Sequence, residues 1–196
     1  MTPATRAAAD RFILDTANVR YVAEYLRKEE LQCVVETTGM TVGQTIGHIA
    51  LDMSDLATAI EELIAGGELA SHDAGCAARS AAHSRLSARW GSKALLRRLD
   101  AGLVALTAAL AKLDSTPVGE ASAGWPMAHV FNATHVPAHG LELSEALEDL
   151  RFDPMMLNWL LYADFSAEPE LFDRQQRLFE EARDYFHELG EDAEED

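Results

Sequence analysis

His135 and His139 stand four residues apart in the stretch NATHVPAHGLEL, residues 132 to 143. Four residues is slightly more than one helical turn, so on a helix both imidazoles project from one face, about 6 Å apart at their bases. That spacing suits two ligands of one metal ion. Upstream, Thr45, His48, Asp52 and Asp55 form a polar stripe at helical spacing, with His48 next to the apolar residue Ile49. If the two segments pack together, His48 faces His135 and His139. Three neutral imidazoles around one divalent cation leave positions open for water or substrate, which is the catalytic style of site. Asp52 is then the candidate catalytic base or ligand-orienting carboxylate. The plainer readings are a solvated Asp52 at the bundle edge and a hydrogen-bonded core histidine at 139. His139 falls on the line Val136, Leu143, Leu147, Leu150, where a buried imidazole must find a partner.

Pro137 lies between the two histidines. In a helix interior it deletes the bond to the Ala133 carbonyl and costs roughly 3 kcal/mol. The expectation is a kinked helix that still carries the site. Were Pro137 to begin the helix instead, His135 would lie outside it and the pairing would be lost. The remaining histidines have plain readings. His72 and His83 fall in a loop-like segment and are expected to be exposed. His187 sits in the last turn of the final helix, where a cation complements the helix dipole. His129 reads as a rim residue. Cys33, among Leu31, Val34 and Val35, reads as a small buried hydrophobe rather than a nucleophile, and Trp159 as core.

The elements that must position these residues are helical nearly throughout. A first helix is expected from about Pro3 to Val35, ending in the turn Glu36-Thr37-Thr38-Gly39. Thr41 and Gln44 have capping-box spacing. A heptad line follows through Val42, Ile46, Ile49, Met53, Leu56, Ile60 and Leu63, stopped by Gly66-Gly67. Residues 68–90, poor in large apolar side chains, read as a long surface loop with room for a short helix. A third helix is expected from Ser92 to Leu113 and a connector from Asp114 to Gly124. A fourth runs from Pro126 to Leu150, a short one from Asp153-Pro154 to near Asp164, and a last one from Glu168 to Leu189. On that last helix Phe172, Gln175, Phe179, Ala182, Phe186 and Leu189 share one side. No strand alternation and no internal repeat is present. The expected fold is all-α: a single domain over residues 1–189, comprising a four-helix bundle over about 8–150 with additional C-terminal helices at 154–189. Residues 190–196, GEDAEED, read as an acidic disordered tail.

Charge narrows the function classes. Sixteen Lys and Arg against 33 Asp and Glu give −17, which repels a nucleic-acid backbone and an anionic membrane surface. The acidity itself reads as solubility. No run of 18 apolar residues is present to span a membrane. Asp10 precedes any apolar run, so no secretory signal is expected. The two cysteines, Cys33 and Cys76, form neither CxxC nor a disulfide framework, so a reducing cytoplasm is the expected compartment.

TVGQTIGHIALDM at the start of the second helix, followed some ninety residues later by HxxxH, resembles the DinB-like (YfiT-like) metal-binding four-helix bundles. SKALLRRLDAGL on the third helix also looks like that family's corresponding segment. Its relatives include the N-terminal domain of mycothiol-dependent maleylpyruvate isomerase and the bacillithiol S-transferases. The resemblance covers roughly residues 8–150. It implies a divalent metal, commonly zinc or nickel, on His48, His135 and His139, with Glu142 orienting a ligand or a bound water. Two departures stand out: Pro137, and Gly140 one position earlier than the family's glycine, with Leu141 in its place.

Three functions follow as expectations. The first is a metal-dependent enzyme acting on a small molecule, either by transfer or isomerisation with a low-molecular-weight thiol held as thiolate, or by hydrolysis with metal-activated water. The second is a non-catalytic stress or interaction protein whose helices the metal staples. The third is a metal-free bundle. A homodimer is expected on the general habit of such bundles.

Overall fold

Thr41 starts the helix on which the polar stripe rides. Its hydroxyl accepts from the Gln44 amide, and the Gln44 side chain accepts from the Thr41 amide, at 3.2 and 2.8 Å. This capping box satisfies two of the donors that a helix start leaves without partners. Thr41→Ala is expected to lower stability by about 1 kcal/mol, read as a shifted urea midpoint with an unchanged slope.

The computed structural model describes residues 3–66, 76–116 and 134–192. Among them the chain is all-α: α1 (Pro3–Tyr25), α2 (Val42–Ile64), α3 (Cys76–Ser87), α4 (Ser92–Ser115), α5 (His135–Ala146), α6 (Pro154–Leu161) and α7 (Pro169–Asp192). Short 3-10 turns lie at Glu30–Gln32 and Glu148–Leu150. The one extended pairing among the described residues is the bridge between Val34 and Thr41, which closes the turn before α2. Among the described residues, no helix is long and apolar enough to cross a membrane.

The heptad line of α2 is buried as its periodicity demands, from Val42 through Leu63. Its main partner is α4, which supplies Leu95, Leu99, Leu106, Leu110 and Leu113. The helix α1 packs on α4, α5 and α6. Its Asp15 is buried and receives the Trp159 indole N–H at 2.9 Å and the Arg11 guanidinium at 2.9 Å. Burial pushes the Asp15 carboxyl up, and those two donors only partly offset it.

Several elements differ from the sequence expectation. The first helix ends at Tyr25, not Val35. There the Glu30 carboxylate takes both the backbone N–H and the guanidinium of Arg27, and the chain turns into a 3-10 segment. Cys33 therefore follows a turn and is half-buried at the edge of the core. The expected loop at 68–90 contains α3. The last helix continues through Asp192, so its acidic end is helical for three residues beyond Leu189, and His187 lies more than a turn before the helix end. The buried side of α7 is Gln175, Leu178 and Ala182; Phe172, Phe186 and Leu189 are exposed. The stretches 67–75, 117–133 and 193–196 lie outside the described residues. With them go His72, His129, Trp125, most of the connector, the Pro126 start of the fourth helix and the end of the tail.

Candidate metal centre

The Pro137 question is decided by where α5 begins. His135 is its first residue and Pro137 its third, with Thr134 at the N-cap. A first-turn amide has no intrahelical acceptor, so the missing N–H costs nothing there. The first regular bond runs from the Ala138 amide to the Thr134 carbonyl at 2.8 Å. The expected kink is therefore replaced by a helix start, and the i,i+4 relation of His135 and His139 survives. Their ring centroids are 4.8 Å apart. Gly140 also acquires a reason: a Cβ there would lie 2.7 Å from the Trp159 ring, so only glycine lets α5 close on α6.

His48, on α2, meets both. Its ring centroid lies 5.5 Å from that of His135 and 5.3 Å from that of His139. One ligand nitrogen from each of the three lies within 4.8 Å of the others, close enough for one ion to be shared. His48 and His139 are buried, whereas the His135 side chain is 26% exposed, which opens the group to solvent on one side.

His139 is held in one tautomer. Its Nδ1 lies 2.7 Å from a Glu142 oxygen, so Nδ1 carries the proton and donates. The other Glu142 oxygen accepts from the Thr37 hydroxyl at 3.0 Å, reaching back to the turn before α2. Burial would raise the Glu142 carboxyl, but His139, Thr37 and the charge of Arg174 hold it below its ordinary range. The His139 Nε2 is left as a lone pair. It is buried and has no hydrogen-bond partner among the described residues. A buried acceptor without a donor costs about 1–3 kcal/mol, and one on a ring beside two further imidazoles fits a cation. The carboxylate–histidine–metal order is the usual second layer of such sites.

Asp52 does not stand in solvent at the edge. Its Oδ2 accepts from His135 Nε2 at 2.9 Å and lies 3.2 Å from His48 Nε2. Burial pushes its pKa up, but the hydrogen bonds from His135 and His83 and the neighbouring imidazoles outweigh that and keep it an anion well below the usual carboxylate range. Burial likewise lowers His48 to about 4, against the pull of Asp52 and helped by the other three imidazoles. At neutral pH the group is thus a neutral His48 beside an anionic Asp52, the protonation states a cation requires.

His83 is the residue the sequence reading placed wrongly. It is 4% exposed, not a loop residue, with Nδ1 3.1 Å from His48 Nδ1 and Nε2 3.0 Å from Asp55 Oδ2. Burial lowers its pKa, but Asp52 and Asp55 outweigh burial and raise it. The helix α3 carries almost no large apolar residues, so its inward face is invisible to hydropathy. That face reads Ser80, His83, Ser84, Ser87, a polar stripe at helical spacing that was the available signal.

The pH dependence of the metal-free chain follows from these shifts. His48 is depressed from 6.5 to about 4, so between those values the unfolded chain binds more protons. Stability is expected to fall by about 3 kcal/mol as pH drops from 6.5 to 4, read by urea denaturation. His83 has the opposite sign: its stabilisation is complete below 6.5 and is lost only as pH rises through its raised pKa. Within the 4–6.5 window it is constant. A flat profile there would show that His48 is not buried as described.

Comparison of the chain with known protein families, with curated proteins and with solved structures finds no match.

Proposed function

We propose that the chain is a divalent-metal-binding, DinB-like four-helix bundle that acts as a metal-dependent enzyme on a small molecule. The helices α1, α4, α2 and α5 would be the bundle, each packing on the next and α5 returning to α1. The observation that carries the reading is the buried, unpartnered His139 Nε2 beside His48 and His135. The motif resemblance and the anionic Asp52 support it.

His48, His135 and His139 would hold the ion. Zinc or nickel suits this imidazole set, and availability selects between them. When bound, such an ion keeps a coordinated thiol as thiolate or lowers the pKa of bound water towards 7. The protein's own residues do the rest. Glu142 and Thr37 fix the ring of His139. Asp52 accepts from His135 Nε2 and would be left with Oδ2 free to take a proton from substrate thiol or water once that nitrogen gave up its own proton to become a ligand. The exposed edge of His135 is the side from which a small molecule enters. That opening favours the enzyme over a purely stapling ion, which would be closed on all sides.

The test is elemental analysis of untagged protein beside His135→Ala and His139→Ala. Stoichiometric divalent metal, lost or sharply reduced in both variants, is the expected result and justifies screening thiol-dependent transfer and hydrolysis. Absence of metal after reconstitution with zinc and nickel overturns the proposal. A metal whose water does not exchange, and whose removal costs stability alone, would instead identify the staple.

A further inference from the structure

The ring of His48 has two edges, and only one of them faces His135 and His139 through the Asp52 contact. The other edge, at Nδ1, faces His83. We propose that the polar core holds a second divalent cation beside the first, bounded by His83 Nδ1, Asp52 Oδ1 and His48 Nδ1. For its first ion this inference rests on the reading above.

Three observations carry it. Asp55 accepts from His83 Nε2 at 3.0 Å and so fixes the ring with Nδ1 turned towards Asp52 and His48, as Glu142 fixes the ring of His139. That nitrogen lies 3.1 Å from His48 Nδ1 and 3.3 Å from Asp52 Oδ1. Ligands bonded at 2.0–2.1 Å around a tetrahedral cation are about 3.3 Å from one another, so both separations are ligand edges. Finally, Asp52 divides its two oxygens between the two sides, Oδ2 towards His48 Nε2 and His135 and Oδ1 towards His83. Asp52 thus offers one oxygen to each side.

The charges are consistent with two ions. Asp52, Asp55 and Glu142 supply three negative charges around the group, and one divalent ion leaves that sum negative. Filling both edges of His48 sends its one ring proton to solvent and leaves an imidazolate bridge. The second ion also takes the place of the proton that His83 Nδ1 donates to Asp52, so it binds more weakly than the first and releases more protons. The donor set, imidazole with carboxylate, takes a borderline divalent cation such as zinc, cobalt or nickel.

Cobalt(II) titration of the metal-free chain, followed by its visible absorption and checked by elemental analysis after equilibrium dialysis, tests this directly. The wild-type chain is expected to take up two equivalents, and His83→Ala and His139→Asn one each, with different spectra. Asp55→Asn removes only the anionic partner of His83 at an exposed position. It is expected to keep two sites with the second weakened about 10–100-fold. Circular dichroism verifies that each variant is folded. One equivalent at saturation, retained unchanged in His83→Ala but lost in His139→Asn, overturns the second site and leaves the first standing. One equivalent lost in both variants makes a single shared ion and also overturns it. No uptake by the wild-type chain overturns the metal reading altogether.

Discussion

Saturating zinc or nickel is expected to raise the melting temperature of the wild-type chain by roughly 10 °C and to leave His139→Asn with only the small shift of the weaker second site. A ligand at a thousand times its dissociation constant stabilises by about 4 kcal/mol, and for a chain of this size 1 kcal/mol corresponds to about 2–4 °C. Asparagine is the informative replacement. Its amide nitrogen stands near the position of the imidazole Nδ1 and can still donate to Glu142, whose carboxylate is buried and would otherwise lose its 2.7 Å partner. What it lacks is the Nε2 lone pair. The metal-free variant should therefore melt close to the metal-free wild type, and only the first ion's share of the metal-induced shift should vanish. His139→Ala is a poorer probe, because it also strips a buried anion of its donor, which alone costs several kcal/mol. An undiminished shift in His139→Asn would show that the unpartnered nitrogen is not a ligand.

Gly47→Ala is expected to destabilise the chain by about 1–3 kcal/mol, a fall in melting temperature of roughly 3–10 °C. A Cβ at Gly47 would stand 2.2 Å from the Ser87 Cβ and 2.7 Å from its hydroxyl, so the two helices would have to separate. Rotating Ser87 brings no relief, because its Cβ is fixed by the α3 backbone, and turning the hydroxyl away would also break its bond to the His83 carbonyl at 2.7 Å. Displacing α3 also carries His83 away from His48, since both lie within about one turn of the contact. The expected signature is a double-mutant cycle. Ser87→Gly removes the clashing carbon, so the double variant should be more stable than the two single costs summed would allow. If Gly47→Ala melts with the wild type, α3 does not sit against α2 as described, and the placement of His83 fails with it.

Much of this was legible in the residues. The α2 line from Val42 to Leu63 announces its buried face because large apolar groups recur at helical spacing, and burial of such groups dominates helix packing. Thr41 with Gln44 announces where that helix begins. The pairing of His135 with His139 and the polar face of His48 and Asp52 follow from spacing alone, because neighbours on one helix are fixed by its pitch. So does the all-α class.

The tertiary structure decided the rest. Pro137 is harmless only because α5 starts two residues before it, and a start is set by what surrounds the chain as much as by its own residues. His83 came in because α3 turns serines and a histidine inward, where Gly47 makes room; the driving contact is close approach, which no hydropathy pattern encodes. Asp52 changed from an edge carboxylate to the hub between His48, His83 and His135 for the same reason. Local spacing determines which side chains share a helix face. Which faces meet, and which lone pair is left without a proton, depends on contacts between residues tens of positions apart, and those exist only in the folded chain.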